Sequence, residues 1–308
     1  MRQDNERKNL SGATIGLVSL NEEGTIGRAL QAIIAESEEN DSEIIVVAGG
    51  TDRTVEIARN MLGGRARAKL IVDSEPRGKP AALNTIFSAA SGAILILSDG
   101  DVEIQRGSIK KLLDAMSSSD VGASSGRVIG APGRYNGVQK VSDLMTEMMH
   151  RSRLASSQSS GGINLASGYL YAIRKDLAKR VPENVNSDDG YLSLCVKSSG
   201  KKVAYVPGAT VAINYPRTLD DFIKQKMRTR YGHLQLGRDF PSAPSRSAGT
   251  EINEYRLLWE SARTRGYGLS TCALAVVLTG LVWTAAYIRE YMPWLFRKKV
   301  WQPIRSTK

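Results

Sequence analysis

The chain has 308 residues, 42% of them hydrophobic, and its 42 Lys and Arg against 31 Asp and Glu leave a net charge of +11. That apolar content is enough for one large core or two modest ones, which excludes disordered and fibrous classes. The positive excess suits nucleic acid, anionic lipid or a phosphorylated small molecule as partner and does not choose among them.

Taken in chain order, residues 1–12 (MRQDNERKNLSG) are charged, with no apolar stretch behind a basic start. They do not read as a cleaved secretion signal, so the body of the protein is expected in the cytoplasm. From residue 13 to about 208, short β-rich runs alternate with helical stretches, the pattern of an α/β domain with a mainly parallel sheet. Strands are predicted at 14–20, 43–48, 68–73, 93–98, 121–129, 168–173 and 203–207. Helices are predicted to begin near Thr25, Thr54, Gly78, Gly107, Tyr135, Lys175 and Asp188. A further helix over 219–236 mixes basic and apolar residues, and the Gly, Pro and Ser content of 237–250 marks a linker. The soluble domain is therefore bounded at 13–236.

Beyond the linker, residues 251–266 place Leu257, Leu258 and Trp259 among charges, which suits a helix lying on a membrane, a solvent-facing helix being the plainer alternative. Residues 269–288 carry no charge over the length needed to cross a hydrocarbon layer of about 30 Å. A membrane helix is expected over 267–289, transmembrane or re-entrant, with a basic, aromatic tail at 290–308 whose Trp294, Trp301, Arg297, Lys298 and Lys299 suit a headgroup boundary. Membrane lipids are thus expected partners.

Histidine and cysteine offer little chemistry. His150 and His233 are the only histidines, and Cys195 and Cys272 have no Cys or His neighbour at ligand spacing. Catalysis is expected to run on carboxylates and metal. Asp99-Gly100-Asp101 directly follows an apolar strand, so two carboxylates fall on the C-terminal edge of the sheet, where open α/β sheets bind ligands. Hard divalent cations share oxygen ligands with substrate phosphates, and the pair suits Mg2+ or Mn2+ on a diphosphate.

The segment at residues 17–23 (LVSLNEE), IIVVAGGTDRT at 44–54, Arg77-Gly78-Lys79 with Ala82-Leu83-Asn84, and Asp99-Gly100-Asp101 occur in the order seen in one enzyme family. Over residues 14–236 the chain resembles the family 2 glycosyltransferases, inverting enzymes with a GT-A fold. The resemblance implies a GT-A-type nucleotide-sugar-binding domain with a mainly parallel mixed sheet, a hexosyltransferase-like activity and a UDP- or GDP-sugar donor. It implies that Ser19, Asn21, Glu22, Asp52, Arg77, Lys79, Asn84, Asp99, Gln225 and Arg230 serve the donor, and that Asp99 and Asp101 hold the metal. Ser187-Asp188-Asp189 with Leu192 resembles the family's acidic motif, which makes Asp189 the catalytic base beside Asp188. The same two acids also suit a plain helix N-terminus. Gln225-Lys226-Met227-Arg228 resembles the start of a Gln-x-x-Arg-Trp motif, so Arg228 and Arg230 are expected to steady charge on the diphosphate. A basic face resting on anionic lipid is the alternative.

The chain also departs from the family. Ala48 stands where many members carry an Asp that contacts the nucleobase, and Thr229 stands at the Trp that processive members use to bind a polymer. A non-processive enzyme acting on a lipid-linked or membrane-surface acceptor is expected, with a homo-oligomer or membrane partner subunit compatible. Gly161-Gly162 reads as a loop over an acceptor site or an ordinary connection, and Gly49-Gly50 as a nucleotide approach or a tight turn. A nicotinamide dehydrogenase fails for want of G-x-G-x-x-G after the first strand, and nucleic-acid binding has only net charge in its favour. A nucleotidyltransferase and a non-catalytic nucleotide-sugar-binding scaffold remain as alternatives. Arg263 and Arg265 precede the apolar helix while Arg289 and Arg297 follow it, so the positive-inside rule casts no vote on orientation.

Overall fold

Near-continuous apolar runs such as IIVV at 44–47 and ILIL at 94–97 lack the alternation of a half-exposed strand, which marks strands covered on both faces. The computed structural model describes residues 12–158, 164–240, 255–292 and 307, and it sets these runs in the middle of an eight-stranded sheet. The strands are β1 (Ala13–Leu20), β2 (Glu43–Gly49), β3 (Ala68–Asp73), β4 (Ile94–Asp99), β5 (Val102–Ile104), β6 (Val121–Gly130), β7 (Leu170–Arg174) and β8 (Lys202–Ile213). Their spatial order is β3-β2-β1-β4-β7-β6-β8-β5. β3, β2, β1 and β4 run parallel. β7 is antiparallel to both β4 and β6, β6 and β8 are parallel, and β5 closes the edge antiparallel to β8.

Side chains alternate between two helix layers. Ile44 and Val46 join Leu30, Ala58 and Leu112 on one face, from α1 (Ile26–Glu39), α2 (Thr54–Leu62) and α4 (Ser108–Ala115). Ile45 and Val47 join Leu83, Ile86, Leu192 and Val196 on the other, from α3 (Lys79–Ala89) and α6 (Asp188–Ser198). β2 and β3 extend the sheet to one side of β1, and β4 returns to the other side, so a switch in strand order opens beyond the ends of β1 and β4.

Two predicted elements differ and one strand was not predicted. β5, three residues long, is too short to show a period in sequence. β8 runs on past residue 207, because the register with β6 jumps from Gly126 opposite Val206 to Arg127 opposite Thr210, leaving Pro207, Gly208 and Ala209 in an irregularity that does not end the strand. The helix expected at Lys175 is a single 3-10 turn, Lys175–Leu177. The 237–250 linker and the tail fall mostly outside the described residues, as does Gly161-Gly162.

The C-terminal helices pack on the domain. α5 (Gly137–Gln158), α7 (Leu219–Asp239), α8 (Leu258–Arg265) and α9 (Leu269–Tyr291) share a cluster containing Val141, Leu144, Phe222, Ala262, Cys272 and Leu278. Beside it, two buried acids of α5 are clamped by partners distant in sequence. Asp143 accepts from Tyr215 Oη at 3.2 Å and Tyr267 Oη at 2.7 Å and pairs with Arg265 at 3.1 Å. Glu147 pairs with Arg127 at 3.0 Å and Arg151 at 3.2 Å. A buried pair adds little net stability, but removing one partner leaves the other charge uncompensated.

Glu147→Ala is accordingly expected to lower the unfolding free energy by about 3 kcal/mol in urea denaturation of the full chain. Acid tells on another carboxylate. Burial pushes Glu43 up, yet hydrogen bonds from Ser91 N, Thr14 Oγ1 and Ser91 Oγ outweigh it and hold the carboxyl below its ordinary value. Its contribution is complete above the unfolded pKa of about 4.3 and is lost as pH falls through the lower folded value. Glu43→Gln should therefore lose less stability than the parent chain between neutral pH and the acid end of the carboxylate range.

Candidate active site

Because β1 to β4 run parallel, their last residues share one edge, and Ser19, Gly49, Asp73 and Asp99 line a single cavity there of about 850 Å³. α3 begins at that edge with Lys79, after Gly78 at φ 103°, a left-handed conformation that glycine adopts without strain. α6 brings Asp188 and Asp189 in its first turn, where acids favour the positive end of a helix. α7 supplies Gln225, Arg228 and Arg230 from the far wall.

Lys79 joins the two halves. Its Nζ lies 2.8 Å from Asp99 Oδ1 and 3.5 Å from Asp188 Oδ2. Burial alone would favour the neutral amine, but the charges of Asp188, Asp99 and Asp189 reverse this and hold Lys79 well above its ordinary value. Burial pushes Asp99 up, opposed by Lys79 and reinforced by the like charge of Asp101. Burial also raises Asp188, opposed by Lys79 and reinforced by Asp189.

Asp189 is held by hydrogen bonds. Its Oδ2 accepts from Gly168 N, and its Oδ1 from Ser187 Oγ and Gly190 N, each at 2.8 Å. A carboxylate offers about four lone-pair positions, so one remains, on Oδ2, for a proton from a bound molecule. The wall carrying Gly168 is fixed in turn by Ala166 N donating to Ser193 Oγ and Ser167 N to Ser125 Oγ, both at 2.9 Å.

Of the residues singled out in the sequence, all but Asn21, Asp52 and Asn84 line the cavity. Those three tie turns together. Asn21 Oδ1 accepts from Thr51 N at 2.8 Å, and Asp52 accepts from Thr54 N at 2.9 Å and Glu23 N at 3.1 Å. Asn84 exchanges two bonds with the backbone of Val181, at 2.8 and 2.9 Å. Arg77 lines the rim and pairs with Glu183 at 2.9 Å. Gly100 is required by a close approach, since a Cβ there would meet Ser19 Oγ at 2.5 Å and break into its 2.7 Å bond to Glu22.

Tyr169 escaped the sequence reading. It lines the cavity, its carbonyl accepts from Ser98 Oγ at 2.9 Å, and its hydroxyl meets Gln225 Nε2 at 3.4 Å. Burial raises its phenol, with Asp101 adding to the shift and Arg228 opposing it. Asp73 was also missed, although its place as the last residue of β3 was a usable signal. Ala48 is wholly buried between Ser19 and Val72, so the cavity carboxylate on the β2–β3 side is Asp73.

The donor set suits a hard cation. Asp99 and Asp101 are carboxylates two positions apart; burial and then the like charge of Asp101 raise Asp99, and a divalent ion would offset both. No group of three metal-ligating side chains occurs among the described residues, so further ligands would come from a bound diphosphate and water.

A sheet that is parallel through β4 and mixed beyond it, with paired acids where the direction changes, is the GT-A architecture of a glycosyltransferase. Residues 14–181, more than half of the chain, match the family described as Glycosyl transferase family 2, and the chain belongs to that family. It is 22% identical over 222 residues to the glycosyltransferase AglE of Haloferax volcanii, covering 70% of this chain and 71% of that protein. It is also 22% identical over 237 residues to an N-acetylglucosaminyltransferase of Rhizobium meliloti, covering 72% of this chain but 56% of the relative. The fold is similar to that of the mannosyltransferase PcManGT from Pyrobaculum calidifontis, solved with GDP-Man and Mn2+, with a TM-score of 0.62 and 18% identity, over 96% of this chain and 88% of that one.

Lys79→Met tests the role of the central cation. The buried Asp188 and the partly buried Asp99 then share the site without it, so the variant should melt below the parent. Manganese should raise the melting temperature of the variant more than that of the parent in a thermal-denaturation assay.

Proposed function

We propose that this glycosyltransferase moves one sugar from a UDP- or GDP-sugar to a membrane-associated, lipid-linked acceptor, with inversion and without processive extension. The observation that carries the reading is the meeting of two acidic pairs, Asp99 with Asp101 and Asp188 with Asp189, around Lys79 in one cavity. The GDP-Man and Mn2+ bound by PcManGT support a nucleotide-sugar donor and a divalent metal.

Asp99 and Asp101 would hold Mg2+ or Mn2+, which lends positive charge to the leaving diphosphate when bound. Arg228 faces the same anion, close enough for its charge to lower Asp99, and Arg230 lines the cavity nearby. Asp189 receives the acceptor hydroxyl proton as the acceptor oxygen bonds to the anomeric carbon and the bond to the diphosphate oxygen breaks. A phosphate acceptor is already ionised and needs no base. Thr229 in place of the family's Trp supports single transfers. The apolar helix α9 supports a membrane-bound enzyme with its catalytic body on the cytoplasmic side, where nucleotide sugars are found, and leaves room for a second copy or a partner subunit.

The test is transfer and donor hydrolysis by full-length protein across UDP- and GDP-sugars with each metal. Asp101→Ala should lose metal-dependent release of nucleoside diphosphate, and Asp189→Asn should slow transfer to a hydroxyl acceptor by about 10²–10⁴-fold while donor binding holds. Turnover with no donor, together with donor binding indifferent to Asp101→Ala, would leave a nucleotide-sugar-binding scaffold in its place.

A further inference from the structure

From Leu269 to Ile288 α9 is uncharged on every side, yet among the described residues only one side meets protein. Cys272, Ala275, Leu278, Val282 and Ala286, spaced by three or four residues, are buried. Their partners include Phe222 of α7 and Val141 and Leu144 of α5. The opposite side is bare: Leu269 is 72% exposed, Val276 50%, Val277 58%, Leu281 56% and Tyr291 70%, with no charge among them.

The inner side is flanked by charge just before α9 and again along its C-terminal half. Just before α9, Tyr267 and Arg265 hold Asp143 of α5 at 2.7 and 3.1 Å. Farther along, the Arg230 guanidinium lies 5.5 Å from the Trp283 ring centre. At the far end Arg289 lies 4.7 Å from the Tyr231 ring centre, and Arg238 pairs with Glu290 at 2.9 Å. α7 therefore runs beside α9 from Phe222 to Arg238. Were α9 upright across a bilayer, α7 would go with it and carry Lys224, Lys226, Arg228 and Arg230 to hydrocarbon depth, where each ionised side chain is strongly disfavoured. Laid flat, α9 keeps those cations on the aqueous side and turns only its bare side to the acyl chains.

We propose that α9 lies in the plane of an anionic lipid surface, its outer face sunk at the acyl boundary and its inner face on the catalytic domain. Charge complementarity supports a lipid occupant. Arg256 and Arg263 sit in the segment just before α9, next to half-exposed Trp259, and the chain as a whole carries +11. In-plane helices of this kind combine an apolar face with basic flanks drawn to anionic headgroups. The arrangement brings the α7 wall of the cavity within about one helix diameter, roughly 10 Å, of the lipid, and it is independent of which donor or acceptor the enzyme uses.

The experiment measures depth in full-length protein bearing Cys195→Ser and Cys272→Ala. Single cysteines introduced by Ala273→Cys, Val277→Cys, Leu281→Cys, Thr284→Cys or Ile288→Cys are nitroxide-labelled on vesicles of phosphatidylcholine and phosphatidylglycerol. Accessibility to oxygen and to a nickel complex then gives the depth of each label. One uniform shallow depth, about 5–10 Å below the phosphates, is expected. A profile deepest near residue 281 and shallow at one or both ends would overturn the proposal in favour of a spanning or re-entrant helix. Flotation supplies the second arm: Val277→Glu with Leu281→Glu should abolish binding to phosphatidylglycerol vesicles without changing sedimentation in their absence. Equal flotation with pure phosphatidylcholine would refute the anionic preference. A lipid-free dimer that this double variant splits would assign the face to a second copy and refute the lipid surface.

Discussion

Lys79 reaches Asp99 from one direction and Asp188 from another, and the two acids belong to halves of the domain that share no local sequence. Asp99 ends the fourth parallel strand, whereas Asp188 opens a helix that follows the antiparallel part of the sheet. Burial pushes both carboxyls up and Lys79 opposes the rise, so the ammonium between them offsets part of the cost of two acids facing one cavity. The spacing of the β4 end and the start of α6 therefore depends on one side chain at the start of α3.

The rest of the site reads as support for that contact. Gly100 keeps the turn after β4 close enough to β1 for Ser19 and Glu22 to remain bonded. Tyr169 touches Ser98 of β4 through its carbonyl and Gln225 of α7 through its hydroxyl. Asp189 is oriented by three donors from its own turn and from the 166–168 segment, which pre-organises the carboxylate before any substrate arrives.

Much of this was legible in the sequence where a single run carries the information. Apolar runs such as 44–47 and 94–97 identify doubly covered strands, and acids after such a run fall on the ligand edge whatever the rest of the chain does. Asn21, Asp52 and Asn84 show the limit: motif neighbours of ligand-facing residues, they secure the turns that place those residues and do not line the cavity. Tyr169 was hidden because its position depends on β7 pairing antiparallel with β4, a long-range fact. Asp143 and Glu147, four apart on a helix, resemble a solvated face, and only tertiary packing shows them buried.

The clamp on α5 also sets an order of events during synthesis. Asp143 and Tyr267 are separated by 124 positions, so at ordinary translation speeds the acid waits on the order of ten seconds for its last partners to be made. Arg265 and Tyr267 directly precede the apolar helix α9, so the pairing of the buried acid and the emergence of that helix belong to the same moment in the life of the nascent chain.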